Sequence, residues 1–432
     1  MTHPVFHEAE AVADLTAGPG GPAIIYRPDW LGSPAAFPVS LSMPLTEGAW
    51  PAGIVSPWLM NLLPEGDPLR AMVRVLGVAQ EDVLGLVDRL GGDLAGALRI
   101  GGPRLASSDY RSIPNEDALE RIIEELPTKP FLAGDDGVTM SLAGAQEKLP
   151  VALIDGQLFI PLNGAPSTHI LKPDNTRLPG SVINEALCMI LARHCRMPVA
   201  PVTASRVGRR SYILVERYDR EGPAGAVRRL HQEDFCQALG RPPGSKYQHN
   251  QTGTAGPSLP EMFDLVRGHM TAVDINRLLD AVIFNIAIGN VDSHAKNYSI
   301  LLRADGAALA PLYDLMSGLA WDGITQNHAQ SIAGQQRGRH IYGRHWRRMA
   351  EACGLSATAT MRRVEDLTGR ILRVLPAAVA ETRALATGEA MLDLFADAIL
   401  QRATVVQIHA RQDGPAEGPP IETRKATDLT YG

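Results

Sequence analysis

Three polar side chains in the second half of the chain have the types and spacing that a magnesium-dependent phosphoryl transfer requires. Asp292 and Asn297 are separated by four residues, and Asp314 lies 17 residues after Asn297. Carboxylate and amide oxygens suit Mg²⁺, and a carboxylate can also orient an attacking hydroxyl. In this interpretation Asp292 accepts or orients the hydroxyl proton of the substrate, while Asn297 and Asp314 hold Mg²⁺ against phosphate oxygens.

The Asp292 and Asn297 pair is weak evidence by itself, because Asp-x4-Asn arises by chance in many proteins. Two upstream residues strengthen the interpretation. Lys172 ends a predicted strand, and Glu185 opens the predicted helix that follows it. That is the order of parts in a two-lobed kinase, so we expect Lys172 to contact phosphate with Glu185 as its partner.

A loop of small residues precedes this lysine, at the place where a phosphate-binding loop is expected. Residues 141–148 read Ser-Leu-Ala-Gly-Ala-Gln-Glu-Lys. The small side chains of Ala143, Gly144 and Ala145 would let backbone N–H groups approach phosphate oxygens. Neither G-x-G-x-x-G nor G-x-x-x-x-G-K-[ST] is present, so the loop departs from the common phosphate signatures.

The elements that must position these residues predict an α+β fold. Residues 272–288 have apolar side chains at helical spacing and stop at Gly289-Asn290, which predicts a helix that delivers Asp292. A hairpin after Asn297 would return Asp314. Residues 139–219 predict strand, hairpin, strand, helix and strand, with Asp155-Gly156 as the hairpin turn.

The remaining segments predict an N-terminal module, a helical second lobe and a tail. The module has short strands at 23–26 and 37–41 and three helical faces between 58 and 90, after a weakly patterned start. Further helices are expected at 116–126, 231–239, 262–270, 347–353, 361–375 and 391–399. We therefore expect an N-terminal subdomain at 1–102, a small lobe at 103–219, a helical lobe at 220–410 and a disordered tail at 411–432.

Composition excludes several classes of protein. With 432 residues and 45% apolar side chains the chain should form two or three domains. A net charge of −6 and a pI of about 6.1 give no global basis for nucleic-acid or membrane binding. Four cysteines without metal spacing indicate reduced core thiols. No signal peptide or membrane span is evident, which favours a soluble cytoplasmic protein.

Several ordered motifs lie densely over residues 37–320. In the N-terminal module they are Asn61-Leu-Leu-Pro-Glu-Gly66 and the segment 90–97. Further along they are 141–148, Leu171-Lys-Pro173, Val215-Glu-Arg-Tyr-Asp-Arg220, 232–240 with Lys246-Tyr247, 288–299 and Tyr313-Asp-Leu-Met-Ser317. Together these motifs resemble the HipA family of bacterial serine/threonine kinases.

The resemblance implies a kinase-like fold of two lobes with an N-terminal subdomain packed on the small lobe. It implies that Asp292 is the catalytic base, that Asn297 and Asp314 bind magnesium, and that Ser141 is autophosphorylated, which ejects its loop and silences the enzyme. The residues that it implies for ATP binding are Ala143, Gly144, Ala145, Gln146, Lys172, Glu216, Tyr218 and His294. Tyr218 stands where the family often has Phe, a change that keeps a stacking face.

The family resemblance also implies partners. Its members are commonly toxins restrained by a helix-turn-helix antitoxin, which would bring DNA only indirectly, and their known targets are aminoacyl-tRNA synthetases. The residues leave two alternatives open: a small-molecule or lipid kinase with the same magnesium residues, or a nucleotide-binding corepressor partner of a DNA-binding protein. A basic stretch, Arg337 to Arg348, could contact a nucleic acid but is more often a solvated face.

Overall fold

The computed structural model describes residues 2–101, 109–223, 226–385 and 391–415. The end of the expected tail, residues 416–432, and the expected boundary near residue 103 lie outside the described residues. Within them no helix is both long and apolar enough to cross a membrane. All four cysteines are buried and unpaired, which confirms the prediction of reduced core thiols.

The N-terminal region is a five-stranded antiparallel sheet covered by helices, with strand order β4-β3-β2-β1-β5. The strands are β1 Thr2–His7, β2 Glu10–Gly18, β3 Gly21–Tyr26, β4 Ala49–Trp50 and β5 Leu98–Ile100, and the helices are α1 Pro28–Leu31, α2 Ala52–Met60, α3 Gly66–Leu76 and α4 Val83–Leu90.

Two expectations for this region are wrong. Residues before Pro22, which look weakly patterned, form all of β1 and β2, and a register shift between Val5 and Phe6 obscures their alternation. Residues 37–41 are not a strand: Phe37 and Val39 are buried by packing, and the backbone forms only an isolated bridge from Ser40 to Met43. Apolar side chains there serve packing rather than sheet pairing.

The small lobe is a six-stranded antiparallel sheet with strand order β10-β11-β9-β7-β8-β6. Its elements are β6 Asp109–Ser112, α5 Glu116–Glu125, β7 Leu149–Ile154, β8 Gln157–Leu162, β9 His169–Pro173, α6 Ser181–His194, β10 Val202–Val207 and β11 Arg210–Glu216. The hairpin at Asp155-Gly156 and the order strand, helix, strand are confirmed, and β6 and β10 are additional strands that the sequence did not indicate.

The second lobe is mostly helical, with short strands beside the site. Its elements are β12 Arg220–Glu221, β13 Arg228–Arg229, β14 His231–Asp234, α7 Phe235–Ala238, α8 Leu259–His269, α9 Ala272–Ile288, β15 Ser299–Arg303, β16 Gly306–Leu309, β17 Asn327–Ile332, β18 Gln335–Arg337, α10 Gly343–Ala352, α11 Ala357–Arg383 and α12 Leu392–Ala410. The helix expected at 231–239 is wrong, because its first four residues pair with β15 and only one helical turn follows.

Helix α9 has the predicted boundaries, and both of its ends have identifiable causes. Thr271 and Asp274 form a capping box at its start. Gly289 ends it with a positive φ of 71°, and a Cβ there would lie 2.4 Å from the Leu319 side chain. The helix therefore ends at a fixed position, and the loop that contains Asp292 begins directly after it.

Two hydrophobic cores hold the elements together. One joins α6 of the small lobe to the helices of the second lobe. The other runs without interruption from the N-terminal sheet into β7, β9 and β11. The N-terminal region is therefore packed as part of the small lobe, and the domain boundaries given by the sequence stay a prediction.

Candidate active site

A cleft of about 650 Å³ lies between the two lobes. Its walls include the loop at 142–146, the hinge after β11, the loop after α9 and the segment 313–316. Except for Ser141 and Glu185, all the predicted site residues line this cleft. Its volume is within the range of about 300–1,000 Å³ that is usual for ligand and cofactor sites.

Lys172 forms two ion pairs that join the lobes. Its Nζ atom is 2.7 Å from Glu185 Oε1 on α6 and 2.7 Å from Asp314 Oδ1 of the second lobe. Burial alone would lower the pKa of Lys172, but the two carboxylates outweigh burial and raise it. The predicted partnership of Lys172 with Glu185 is confirmed, and Lys172 is a fixed positive charge in the cleft.

Glu185 and Asp314 respond differently to the same lysine. Burial raises the pKa of Glu185, whose side chain is 1% exposed. Asp314 also experiences burial, but Lys172 and then Lys148 hold its pKa at about 2. Asp314 adopts a left-handed backbone with φ 57°. Asp314 is therefore an ionised carboxylate that faces the cleft.

The loop after α9 brings Asp292 and Asn297 together. The Asn297 side-chain amide donates to the Asp292 carbonyl oxygen at 2.7 Å, which closes the loop on itself. The Asp292 carboxylate is exposed, and its Oδ1 accepts a hydrogen bond from the Tyr247 hydroxyl. The Tyr247 hydroxyl thus makes the same contact with the predicted base that a substrate hydroxyl would make before it loses its proton.

His294 is a buried, neutral member of the same loop. Burial lowers its pKa to about 4. Its ring meets Tyr247 edge to face at 5.2 Å, and its Nδ1 atom has no hydrogen-bond partner among the described residues. The His294 ring is therefore uncharged, and its Nδ1 atom is available for a hydrogen bond in the cleft.

The loop at 143–146 has the features expected of a phosphate-binding loop. Gly144 has φ +105°, and a Cβ at that position would lie 2.8 Å from Lys148 Nζ, so only glycine leaves the backbone open. Lys148 Nζ donates to the Ala143 carbonyl at 2.6 Å and has no ion-pair partner in the described part of the chain. Burial and the nearby Lys172 ammonium lower its pKa to about 8, so an arriving anion would stabilise its charged form.

Ser141 lies at the start of this loop but points away from the cleft. It is fully buried, its hydroxyl donates to the Leu62 carbonyl at 3.3 Å, and its backbone N–H donates to the Asp93 carbonyl at 3.2 Å. Transfer of a phosphoryl group to this hydroxyl would require the loop to leave its place.

The hinge residues Tyr218 and Glu216 line the cleft, and both also contact neighbouring residues. Tyr218 stacks on Tyr313 with ring centroids 5.6 Å apart, and its hydroxyl donates to Gln232. One face of the Tyr218 ring is thus already covered. Glu216 is exposed, and its backbone N–H donates to Pro201 at 2.9 Å.

A buried network of charges supports the hinge from the N-terminal side. Asp93 accepts from Arg220 at 2.8 Å and from Arg229 at 3.0 Å, and Arg217 pairs with Asp219 at 2.8 Å. Burial would raise the pKa of Asp93, but the guanidinium groups of Arg220, Arg217 and Arg229 lower it. This network connects the 90–97 motif to the 215–220 motif.

Sequence reasoning missed several side chains of the site. Lys246 and Lys296 line the cleft, and Glu65 of the N-terminal region contacts both of them. Tyr247 and Lys246 come from a Gly/Pro/Asn-rich loop that has no periodicity. These residues lie in motifs that resemble the HipA family, but a sequence motif does not show where its residues lie in space.

The basic stretch does not belong to this site. Residues 337–348 lie within the described chain, and none of them lines the cleft. Arg347 pairs with Asp413, and Arg344 donates to the Pro415 carbonyl at 2.6 Å. Part of the stretch thus holds the end of the described chain.

The donor set fits Mg²⁺ together with a nucleotide. Among the described residues, no three His, Cys, Asp or Glu side chains cluster as a complete metal site. Mg²⁺ in nucleotide sites takes one or two carboxylates and completes its shell with phosphate and water. One ionised carboxylate, Asp314, and one amide, Asn297, beside an open cleft match that requirement.

Comparisons with known proteins agree with this geometry. Residues 140–375 match the sequence model of the HipA-like C-terminal domain, and residues 4–101 match that of the HipA N-terminal domain. The serine/threonine-protein kinase toxin HipA of Shewanella oneidensis is 33% identical over 374 residues, which are 83% of this chain and 83% of that protein.

One further relative and one solved structure also cover most of the chain. A predicted kinase of Sinorhizobium fredii, Y4mE, is 38% identical over 396 residues, 89% of this chain and 93% of that protein. The HipA chain in a solved complex of Shewanella oneidensis HipA, HipB and operator DNA has a TM-score of 0.83 and 28% identity, over 95% of this chain and 98% of that chain. The fold is thus a two-lobed, kinase-like fold with an N-terminal α+β subdomain.

Proposed function

The chain belongs to the HipA family and is a serine/threonine-protein kinase of the toxin type, and we propose that it uses ATP and Mg²⁺ to phosphorylate a protein hydroxyl. The observation that carries this proposal is that Lys172, Glu185 and Asp314 form one ion-paired group beside Asp292 and Asn297. Lysine, acid, base and metal ligands are the parts that phosphoryl transfer needs.

The residues of the cleft have separate roles in the proposed reaction. Lys172 and Lys148 hold the phosphates with the backbone of 143–146, and Glu185 keeps Lys172 in position. Asp292 accepts a hydrogen bond from the acceptor hydroxyl and takes its proton as the oxygen attacks the γ-phosphorus. The bond between the γ-phosphorus and the β–γ bridging oxygen breaks, and ADP leaves. Asn297 and Asp314 would hold Mg²⁺, which neutralises charge on the β- and γ-phosphate oxygens when it is bound.

We propose that Ser141 is the autophosphorylation site and an off switch. Its burial and its hydrogen bond to Leu62 support this role, because a phosphate carries a charge of about −1.5 to −2 that this apolar position cannot accommodate. The phosphorylated loop would leave the cleft and remove Gly144 and Lys148 from the phosphates. Ser141→Asp should lower activity, whereas Ser141→Ala should retain it.

We propose a DNA-binding antitoxin as partner and an aminoacyl-tRNA synthetase as target. The likeness to a HipA chain solved with HipB and operator DNA supports the partner, and DNA would be reached through the antitoxin. The resemblance alone suggests the target. The cytoplasmic location expected from the sequence stays a prediction.

Phosphoproteomics of cells that express the wild type or Asp292→Asn tests target and activity together. We expect phosphoserine or phosphothreonine on a synthetase in the wild-type cells only. Equal phosphorylation in both samples would refute the role of Asp292. Turnover of ATP on sugars or lipids without any labelled protein would favour a small-molecule kinase instead.

A further inference from the structure

One short segment of the N-terminal region, residues 61–66, reaches the active site. It reads Asn-Leu-Leu-Pro-Glu-Gly and connects α2 to the start of α3. Asn61 lines the cleft, while Glu65 lies just behind its lining residues. This segment contacts both the phosphate-binding loop and the loop of Asp292.

The contacts with the phosphate-binding loop are made by the backbone. Pro64 and Gly144 form a parallel bridge, and the Glu65 N–H donates to the Gly144 carbonyl at 3.1 Å. The Leu62 carbonyl accepts from Ser141. Gly144 lies in a loop outside the named strands, and contacts with the 61–66 segment fix its position.

The contacts with the second lobe are made by side chains. Each oxygen of the Glu65 carboxylate takes one lysine: Oε2 accepts from Lys246 at 2.8 Å, and Oε1 lies 3.3 Å from Lys296. Lys296 also donates to Asn61 Oδ1 at 2.7 Å. Lys296 immediately precedes Asn297, and Lys246 immediately precedes Tyr247, which contacts Asp292.

These ion pairs are sheltered enough to fix geometry. The side chains of Glu65 and Lys246 are 18% and 16% exposed, and Lys296 is 3% exposed. Burial would raise the pKa of Glu65, but Lys296 and then Lys246 lower it, so the carboxylate stays charged. The backbone of Lys246 also accepts from the Ala295 N–H at 3.1 Å, which connects both lysines to one loop.

We propose that Glu65 is a positioning residue for phosphoryl transfer. By holding Lys246 and Lys296, Glu65 sets the distance between the phosphate-binding loop and Asp292. This inference rests on the proposed kinase reaction and adds the N-terminal subdomain to its active site. Lys246 and Lys296, which face the cleft, are the groups through which Glu65 acts. A displacement of about 1 Å in such a site costs roughly 100-fold in rate.

The test compares Glu65→Gln with a matched control in the full-length chain. Asp67→Asn removes an acid two residues away that pairs with Arg70 on the surface. Single-turnover transfer of label from γ-labelled ATP into the chain itself gives the rate, and a fluorescent ATP analogue gives nucleotide affinity. We expect Glu65→Gln to lower the rate about 100-fold per folded molecule, with nucleotide affinity within threefold, while Asp67→Asn behaves as wild type.

A double-mutant cycle with Lys296→Met separates positioning from fold stability. If Glu65 acts through this lysine, the double variant should be no slower than the slower single variant. Two results would overturn the proposal. The first is a rate loss that is fully explained by the fraction of unfolded protein in the sample. The second is a rate for Glu65→Gln within threefold of wild type. If Glu65→Gln does not fold, Lys246→Met tests the same pair from its other end, with the same criteria. Absence of labelling by the wild type would instead refute the proposed kinase reaction.

Discussion

Removal of the positive charge at Lys172 should destabilise the protein in a pH-dependent way. In Lys172→Met the carboxylates of Glu185 and Asp314 lose a partner at 2.7 Å. The Glu185 side chain is 1% exposed, whereas that of Asp314 is 30% exposed, so most of the cost comes from Glu185. Breaking a buried ion pair by removing one partner costs about 3–5 kcal/mol, and we expect that loss at pH 8.

The sign of the pH dependence follows from burial. Burial already raises the pKa of Glu185 in the wild type, where Lys172 opposes it. Without Lys172 the folded-state pKa rises further above the ordinary value of 4.5. A carboxyl group whose folded-state pKa is raised is neutral in the folded protein below that pKa. Its contribution to the free energy of unfolding is complete below the unfolded-state pKa and is lost as pH rises through the folded-state pKa. The variant should therefore recover toward wild type between pH 8 and pH 5, with a limiting slope of about 1.4 kcal/mol per pH unit.

Urea unfolding of the wild type and Lys172→Met at pH 5 and pH 8, without nucleotide, measures this difference. The control is Lys129→Met, which removes a lysine that is 32% exposed and pairs with Asp135. It should cost about 1 kcal/mol or less at both pH values. A cost for Lys172→Met that is equal at the two pH values, or no greater than that of the control, would refute the reasoning.

Other substitutions test other parts of the site. Gly144→Ala places a Cβ 2.8 Å from Lys148 Nζ at a φ of +105°, so a fluorescent ATP analogue should bind at least about tenfold more weakly, and unchanged affinity would contradict the assigned phosphate loop. Asp93→Asn leaves the guanidinium groups of Arg217 and Arg220 with Asp219 as an acid partner, and it leaves Arg229 without one among the described residues. Urea unfolding should show a loss of about 3–5 kcal/mol, and a loss below about 1 kcal/mol would show that the network does not hold the hinge.

Local patterns predicted the elements that deliver the site. The apolar spacing in α9 and its glycine stop gave both ends of that helix, and the Asp155-Gly156 turn gave the β7–β8 hairpin. In both places a periodic pattern and a turn signal agree, because the element is decided by contacts close in sequence. The Lys172 and Glu185 partnership was predicted from the order of parts and is confirmed at 2.7 Å.

Elements decided by distant contacts were not predictable from local patterns. The segment 231–234 was expected to be part of a helix, but it forms a strand because it pairs with β15. Phe37 and Val39 resemble strand residues, but they are buried against side chains rather than paired in a sheet. Glu65 lies far from Lys246 and Lys296 in sequence, and no spacing rule connects an acid in one domain to lysines in another.

The central claim is that the cleft transfers phosphate from ATP with Asp292 as base. Its most direct test is the incorporation of label from γ-labelled ATP by purified wild type and Asp292→Asn, with nucleotide affinity measured on both proteins. Loss of a general base costs about 10²- to 10⁴-fold in rate. We predict a loss of that size for Asp292→Asn with affinity within threefold of wild type. Equal incorporation by the two proteins would contradict the account.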